Sequence, residues 1–361
     1  MEINTETAIV QVFHGPGDLM TCEERPLPPE LNPGEVLVAI DLATICGSDL
    51  HSYFGNRQVV TPSILGHEAI GHIVRKGGGR EHLEIGQRVT WSIADSCGHC
   101  QPCTDFNLPQ KCDSLFKYGH ASTDDGSGLN GCFATHILLR PGTHIVPVPE
   151  SLIDSVVAPA NCALATMVHA VSKIPENTRS VMIQGAGLLG LYGCALLKEK
   201  GIENIFCVDI QDNRLALVFE FEGIPIDGRP ESYNAACQSI MQTTGHGVDV
   251  VIEVAGDSSL VQQGVEILRP GGTYILAGMV HPHSQLDLRG EQIIRKCLNF
   301  IGIHNYAPHH LDEAVNFLQD TKFKYPYRSL VSPPVALQLL EDAFHTAQTH
   351  RWPRISVKVR T

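Results

Sequence analysis

Four cysteines crowd one short stretch: "CGHCQPC" holds Cys97, Cys100 and Cys103, and Cys112 follows soon after. Four thiolates complete the tetrahedral shell that zinc prefers and leave no position for substrate or water. A closed four-sulfur site supports folding rather than reaction. His99 lies inside the run, where the shell is already full, and reads as a loop residue. The chain has twelve cysteines. In a reducing compartment, clustered cysteines are metal ligands or catalytic groups rather than disulfides. Cys194, Cys207 and Cys297 stand in apolar surroundings and read as inert core residues.

A second set of soft donors is scattered along the chain. Cys46 opens "CGSDLH", His67 and Glu68 belong to "GHE", and Cys162 lies in "PANCALAT". Two thiolates and an imidazole with an open fourth position are what catalytic zinc uses. Spacing alone does not show that these three side chains meet.

A third motif is local. Gly185, Gly187 and Gly190 form G-x-G-x-x-G in "QGAGLLG", with Leu188 and Leu189 between the last two glycines. The run follows a strand and opens a helix, as a dinucleotide turn requires. Gly185 permits the tight turn, Gly187 lets a pyrophosphate approach the backbone, and Gly190 lets helix and strand pack closely. The helix N-terminus offers unpaired N–H groups to the phosphates. Asp209 ends the next strand, where a carboxylate accepts ribose hydroxyls and repels a 2′-phosphate, which favours NAD. Arg214 stands nearby and keeps an NADP-dependent reductase open as an alternative.

The elements that must position these residues fall into two styles. The first half reads as β-rich: "GEVLVAIDLAT" alternates apolar and polar residues, "GQRVTWSI" is a short strand, and Pro and Gly punctuate throughout. After Ser151 the spacing becomes helical, with Pro159 as a kink or boundary. Apolar strands then alternate with helices through "RSVMIQGAG", "NIFCVDI", "GVDVVIEVAG" and "GGTYILAGMV", which indicates a parallel sheet covered on both faces. Beyond residue 300, "HHLDEAVNFLQD" and "VALQLLEDAFHTAQT" read as amphipathic helices and "RISVKVR" as a strand. The fold class is α/β.

Composition narrows the function. Of 361 residues, 43% are hydrophobic and 18% charged, which is a globular balance. A formal net charge of −13 and the absence of any Lys/Arg block argue against a nucleic-acid partner. No apolar run approaches the ~20 residues of a membrane span. The N-terminus has neither a basic start nor an apolar signal core, so a cytoplasmic protein is expected.

Taken together, "CGSDLH", "GHE", "CGHCQPC" with Cys112, "GAGLLG" and the acid of "CVDI" resemble the zinc-containing alcohol dehydrogenases of the medium-chain dehydrogenase/reductase family over essentially the whole chain. The resemblance implies a GroES-like catalytic domain from residues 1–163 and 304–361 and a Rossmann NAD-binding domain from 164–303, with the active site in the cleft between them. It implies Cys46, His67 and Cys162 as catalytic zinc ligands, Glu68 as a neighbouring or transient ligand, and the four-cysteine cluster as a structural zinc site. Two zinc ions per chain and NAD are the implied cofactors, and a homodimer or homotetramer the implied assembly.

The implied reaction moves hydride between an alcohol and NAD, to and from the aldehyde or ketone. Zinc lowers the alcohol's pKa, and the resulting alkoxide releases hydride. By resemblance, Ser48 takes the alcohol proton and His51 passes it to solvent. The runs "NLPQKCDSLFKYGH" and "APANCALAT" resemble a subgroup associated with phosphonate catabolism, which implies a hydroxyalkyl phosphonate substrate. Arg57, Lys117 and His120 supply cationic donors for such an anion, and the stretches around Ser52–Arg57, Trp91 and Ser114–His120 line the substrate cleft of relatives. A different class of protein, a zinc-stabilised nucleotide binder without catalysis, would need no proton relay and no open metal site.

Overall fold

The computed structural model describes residues 7–280 and 284–360. Part of the N-terminal stretch read above therefore lies outside the described residues. The chain divides into two compact units. The first comprises residues 1–162, 307–322 and 327–361, and the second 163–306 and 323–326. The second unit thus takes 163, 304–306 and the short run 323–326, which the sequence placed with the first domain. The physical reason is local: Tyr325 stacks on Phe221 with ring centroids 5.7 Å apart, and its hydroxyl donates to Glu199 Oε1 at 2.5 Å.

In the first unit, β1 (Thr7–Val12) and β2 (Thr21–Pro26) form an antiparallel pair. An eight-stranded sheet holds β3 (Val36–Ile45), β4 (Glu68–Lys76), β5 (Arg88–Asp95), β6 (Phe116–Lys117), β7 (His136–Leu139), β8 (Thr143–Pro147) and, from the far end of the chain, β15 (Val335–Ala336) and β16 (Ile355–Lys358). Its order is β15-β16-β3-β4-β5-β6, with β7 also pairing β3 and β8 pairing β5. The central strand β3 is buried along nearly its whole length rather than on alternate residues. Both of its faces are covered: Val36, Val38 and Ile40 enter one core cluster and Leu37 another. The stretch "VALQLLEDAFHTAQT" also differs from the expected single helix. Val335 and Ala336 are drawn into the sheet by β16, and the α-helix begins only at Leu340.

The second unit contains β9 (Ser180–Gln184), β10 (Asn204–Asp209), β11 (Ile224–Asp227), β12 (Val248–Glu253), β13 (Leu268–Leu276) and β14 (Asn299–Gly302). All pair in parallel in the order β11-β10-β9-β12-β13-β14. This is the doubly wound Rossmann order, in which the chain reverses direction across the sheet between β9 and β12 and leaves a crevice at their carboxyl ends. β9 is buried at all five positions, as a strand covered on both faces must be. Cys194 and Cys207 are buried here, as expected, but Cys297 is exposed. It ends the helix Gly290–Lys296 in a left-handed conformation, φ 51°, so its place is a helix terminus rather than the core.

Candidate active site

The site is assembled at one end of the eight-stranded sheet. β3 runs to Ile45, and Cys46 caps the helix Gly47–Tyr53 in an extended conformation. Asp49, the third residue of that helix, is 1% exposed and its carboxylate makes three links. Oδ2 accepts the Cys46 N–H at 2.9 Å, Oδ1 accepts the Gly66 N–H at 3.3 Å, and Oδ1 lies 3.2 Å from His67 Nδ1. A carboxylate facing Nδ1 favours a proton there and so favours Nε2 as the metal-binding atom. Ser48 Oγ lies 3.4 Å from that Nε2. His51 follows on the next turn of the same short helix and is half-buried.

Glu68 begins β4 beside His67 and is fully buried. Thr44 on the neighbouring strand donates to its Oε2 at 2.6 Å. Arg354, just before β16, places Nε 2.8 Å from Oε2 and Nη2 2.9 Å from Oε1, and Nη2 also lies 3.4 Å from Cys46 Sγ. Cys162 arrives on a π-helical turn, Ala160–Leu164, with its Sγ 3.9 Å from that of Cys46. Asn161 anchors this turn by donating to the carbonyls of His67 and Trp91, both at 2.9 Å. The ligand atoms of Cys46, His67, Glu68 and Cys162 all lie within 4.8 Å of one another.

The electrostatics fit a soft divalent cation. Hydrogen bonding to Cys162, together with Arg354 and His67, outweighs burial and pulls the Cys46 thiol well below its ordinary range. The contact with Cys46, with burial, pushes the Cys162 thiol up. Each sulfur thus opposes a second negative charge on the other, and a bound cation would let both ionise. Burial raises Glu68 to about 7 against the pull of Arg354. Burial opposes charge on His67, but Asp49 and Cys46 prevail and raise it to about 10. With both Glu68 oxygens engaged by Arg354 and Thr44, the donor set is two sulfurs and one nitrogen, a set that suits zinc.

The other cysteine cluster is built differently. Ligand atoms of Cys97, Cys100, Cys103 and Cys112 lie within 4.8 Å of one another. Backbone N–H groups of Cys97 and Ser114 donate to Cys112 Sγ at 3.2 and 3.4 Å, and that of Cys100 to Cys97 Sγ at 3.4 Å. Such bonds favour thiolates, although burial outweighs them at Cys112 and pushes that thiol up. No fifth donor joins them among the described residues. His99 is exposed, with Nδ1 2.8 Å from the Cys97 carbonyl.

In the second unit the glycine turn leaves β9. Gly185 has φ +109°, and a Cβ there would stand 3.1 Å from Ala255. A Cβ on Gly190 would meet the Gly185 carbonyl at 1.9 Å, so only glycine lets the helix Leu188–Glu199 start against this turn. A Cβ on Gly187 would meet nothing within 4 Å, and no side chain caps the helix. The N–H groups from Leu188, Leu189 and Gly190 are thus available to an anion. Asp209 Oδ2 accepts from Ala186 N–H at 2.9 Å, and Oδ1 from Ile210 and Gln211 at 2.8 and 3.0 Å. Arg214 Nη1 lies 3.5 Å from Asp209 Oδ2.

The expected substrate residues divide. Lys117, Arg57 and His120 gather near the first metal locus. Burial and the Arg57 charge lower the Lys117 pKa, while Cys162, Cys46 and Asp49 act in the opposite sense. The His120 ring lies 5.3 Å from that of His67. Among the described residues, neither Lys117 nor Arg57 has a carboxylate in ion-pair contact. Trp91 and Tyr118, by contrast, are fully buried in the core of the first unit. Asp49, Asn161 and Arg354 were not singled out in the sequence. Asp49 had a signal, the third position after a helix cap inside "CGSDLH"; Arg354 had none.

Comparison with known proteins agrees with this architecture. Residues 32–150 match the alcohol dehydrogenase GroES-like domain, and residues 189–320 match the zinc-binding dehydrogenase domain. The chain is 30% identical over 334 residues to D-xylulose reductase A of Aspergillus oryzae, covering 90% of this chain and 89% of that one. It is 29% identical over 352 residues to sorbitol dehydrogenase of Halalkalibacterium halodurans, covering 95% and 96%. An alcohol dehydrogenase from Thermotoga maritima superposes with a TM-score of 0.91 at 29% identity, covering 98% and 99% of the two chains. Fold and domain content define an oxidoreductase with a GroES-like and a Rossmann domain. The chain belongs to the zinc-containing alcohol dehydrogenases of the medium-chain dehydrogenase/reductase family.

Proposed function

We propose that the chain is an NAD-dependent dehydrogenase that interconverts a small alcohol with its aldehyde or ketone and holds two zinc ions. The observation that carries this reading is the convergence of Cys46, His67 and Cys162 within 4.8 Å, with the Ser48 hydroxyl alongside. Zinc supplies a Lewis acid for the substrate oxygen and NAD accepts the hydride. The protein's own groups do the rest. Cys46, His67 and Cys162 hold the metal, while Asp49 and Arg354 orient and charge-balance them. Ser48 Oγ takes the alcohol proton, and His51, one turn on, delivers it to solvent. The tetrathiolate of Cys97, Cys100, Cys103 and Cys112 holds the structural ion.

NAD is favoured because Asp209 is fixed by three backbone N–H groups where the ribose hydroxyls would lie. Arg214 leans on that carboxylate, so it is not free for a 2′-phosphate. Asp209→Ser is expected to move the NADP:NAD ratio of kcat/KM at least tenfold toward NADP. The finer substrate reading is an anionic hydroxyalkyl compound such as a phosphonate, its charge met by Lys117 and Arg57. The names of the relatives, which refer to sorbitol and xylulose, support a second reading in which the substrate is a neutral polyol. Metal analysis and a screen of alcohols with NAD and NADP test the proposal. Two zinc per chain and turnover with NAD are expected; one zinc and no turnover would leave a non-catalytic nucleotide binder.

A further inference from the structure

Glu253 closes β12 at the carboxyl edge of the parallel sheet, and its side chain is fully buried. Among the described residues no cation stands in ion-pair contact with it, and the charge that Asp257 adds is of the same sign. The backbone meets its charge instead. Oε1 accepts the Gly256 N–H at 2.5 Å. The Gly278 N–H is shared between Oε2, at 3.2 Å, and the Glu253 carbonyl, at 3.0 Å. That carbonyl also accepts from Ala277 at 3.0 Å. A buried carboxylate without a counter-ion is costly, and N–H groups aimed at it offset the cost. One side chain thus ties the turn after β12 to the turn after β13. These turns and the glycine turn after β9 meet backbone to backbone. A Cβ on Gly278 would stand 2.7 Å from the Gly256 nitrogen, as one on Gly185 would crowd Ala255. Ala255 is exposed and Gly256, Ala277 and Gly278 are half-buried, so the turns present backbone at the crevice.

In a doubly wound sheet a dinucleotide lies across the point where the strand order reverses, one nucleotide over each half. The glycine turn and Asp209 give the adenosine half to β9, β10 and β11. The nicotinamide half then falls to the ends of β12 and β13, with Glu253 beneath. We propose that Glu253 is a positioning residue for the nicotinamide half. It touches no ligand; its carboxylate locks the turns 254–257 and 277–280 in the binding geometry before the nucleotide arrives. This rests on the dehydrogenase reading and deepens it, by naming what holds the second half of the cofactor site. Ordering the turns in advance raises affinity, because less freedom is lost on binding. The role needs a carboxylate, since both of its oxygens accept. Glutamine keeps one acceptor and turns an NH₂ group toward the other N–H.

The test measures binding of NADH and of 5′-AMP by calorimetry, to the zinc-loaded protein and to Glu253→Gln. In the variant, NADH is expected to bind at least tenfold more weakly. AMP, which reaches only the first half of the sheet, should change less than twofold. A general loss of structure would weaken both alike. Hydrogen exchange on the unaltered protein reads the same point without a substitution. The amides of Gly256 and Gly278 should be protected before any nucleotide is added. Equal weakening of NADH and AMP would overturn the inference, as would unchanged NADH binding. So would exchange at those two amides that slows only when NADH is added. If the unaltered protein binds neither NADH nor NADPH, the dehydrogenase reading itself fails and the inference with it.

Discussion

Arg354 forks onto Glu68 across a sequence separation of 286 residues, with Nε 2.8 Å from one carboxylate oxygen and Nη2 2.9 Å from the other. Both side chains are buried, so neither charge has water to fall back on. Removing one partner of a buried pair typically costs about 3–5 kcal/mol, because the other is stranded. Arg354→Leu is therefore expected to lower unfolding free energy by about that much in a denaturant titration. The double variant with Glu68→Leu should regain a large part. If the double variant were less stable than either single one, the pairing would not be the source of the loss.

Asp49 links Cys46 to His67 through one carboxylate. Asp49→Asn keeps an acceptor for the Cys46 N–H but removes the charge facing His67 Nδ1. Loss of such a supporting carboxylate typically reduces metal affinity or activity by about 10–100-fold. Competition with a chelator should show weaker binding at this site alone, with little change in melting temperature. An unaltered zinc affinity would mean that Asp49 serves only the helix start.

The two cysteine-containing loci should separate by experiment. Cys100→Ser is expected to lower stability and remove about one zinc per chain. Cys46→Ser should abolish turnover in a protein that still unfolds cooperatively. If Cys100→Ser left folding intact and stopped hydride transfer, the division between structural and reacting metal would be wrong.

His136 on β7 supplies a pH signature. Burial, then the charges of Arg360 and Arg75, lower its pKa from 6.5 to about 4. Between those values the unfolded chain binds a proton that the folded chain refuses, so stability falls as pH drops from 6.5 toward 4 and is complete above 6.5. The loss attributable to this ring should be about 2 kcal/mol at pH 5. Comparing urea midpoints at pH 7 and pH 5, His136→Gln should show a smaller drop than the unaltered chain. Equal drops would assign the acid sensitivity to other groups.

What could be read from the sequence was whatever has a local cause. The turn from Gly185 to Gly190 and its flanking strand and helix follow from backbone sterics within a dozen residues. The tetrathiolate is equally compact. The alternation of "GEVLVAIDLAT" suggested one wet face, whereas β3 is central and covered on both sides, a fact set by strands far away in sequence. Cys297 looked like core because its sequence neighbours are apolar, yet a left-handed helix end turns it outward. Arg354 could not be found at all, since its role exists only when β16 lies against β3.

That placement of β16 has a temporal consequence. The strand nearest the end of the chain is not an edge strand; it is inserted between β15 and β3. A chain emerging during synthesis carries Cys46, His67 and Cys162 long before it carries Arg354. Closure of the sheet by β16 therefore comes after all three of these residues have been made, and it is this closure that brings Arg354 onto Glu68. A chain shortened before residue 354 would keep every sulfur and imidazole donor yet leave a buried carboxylate without its counter-charge.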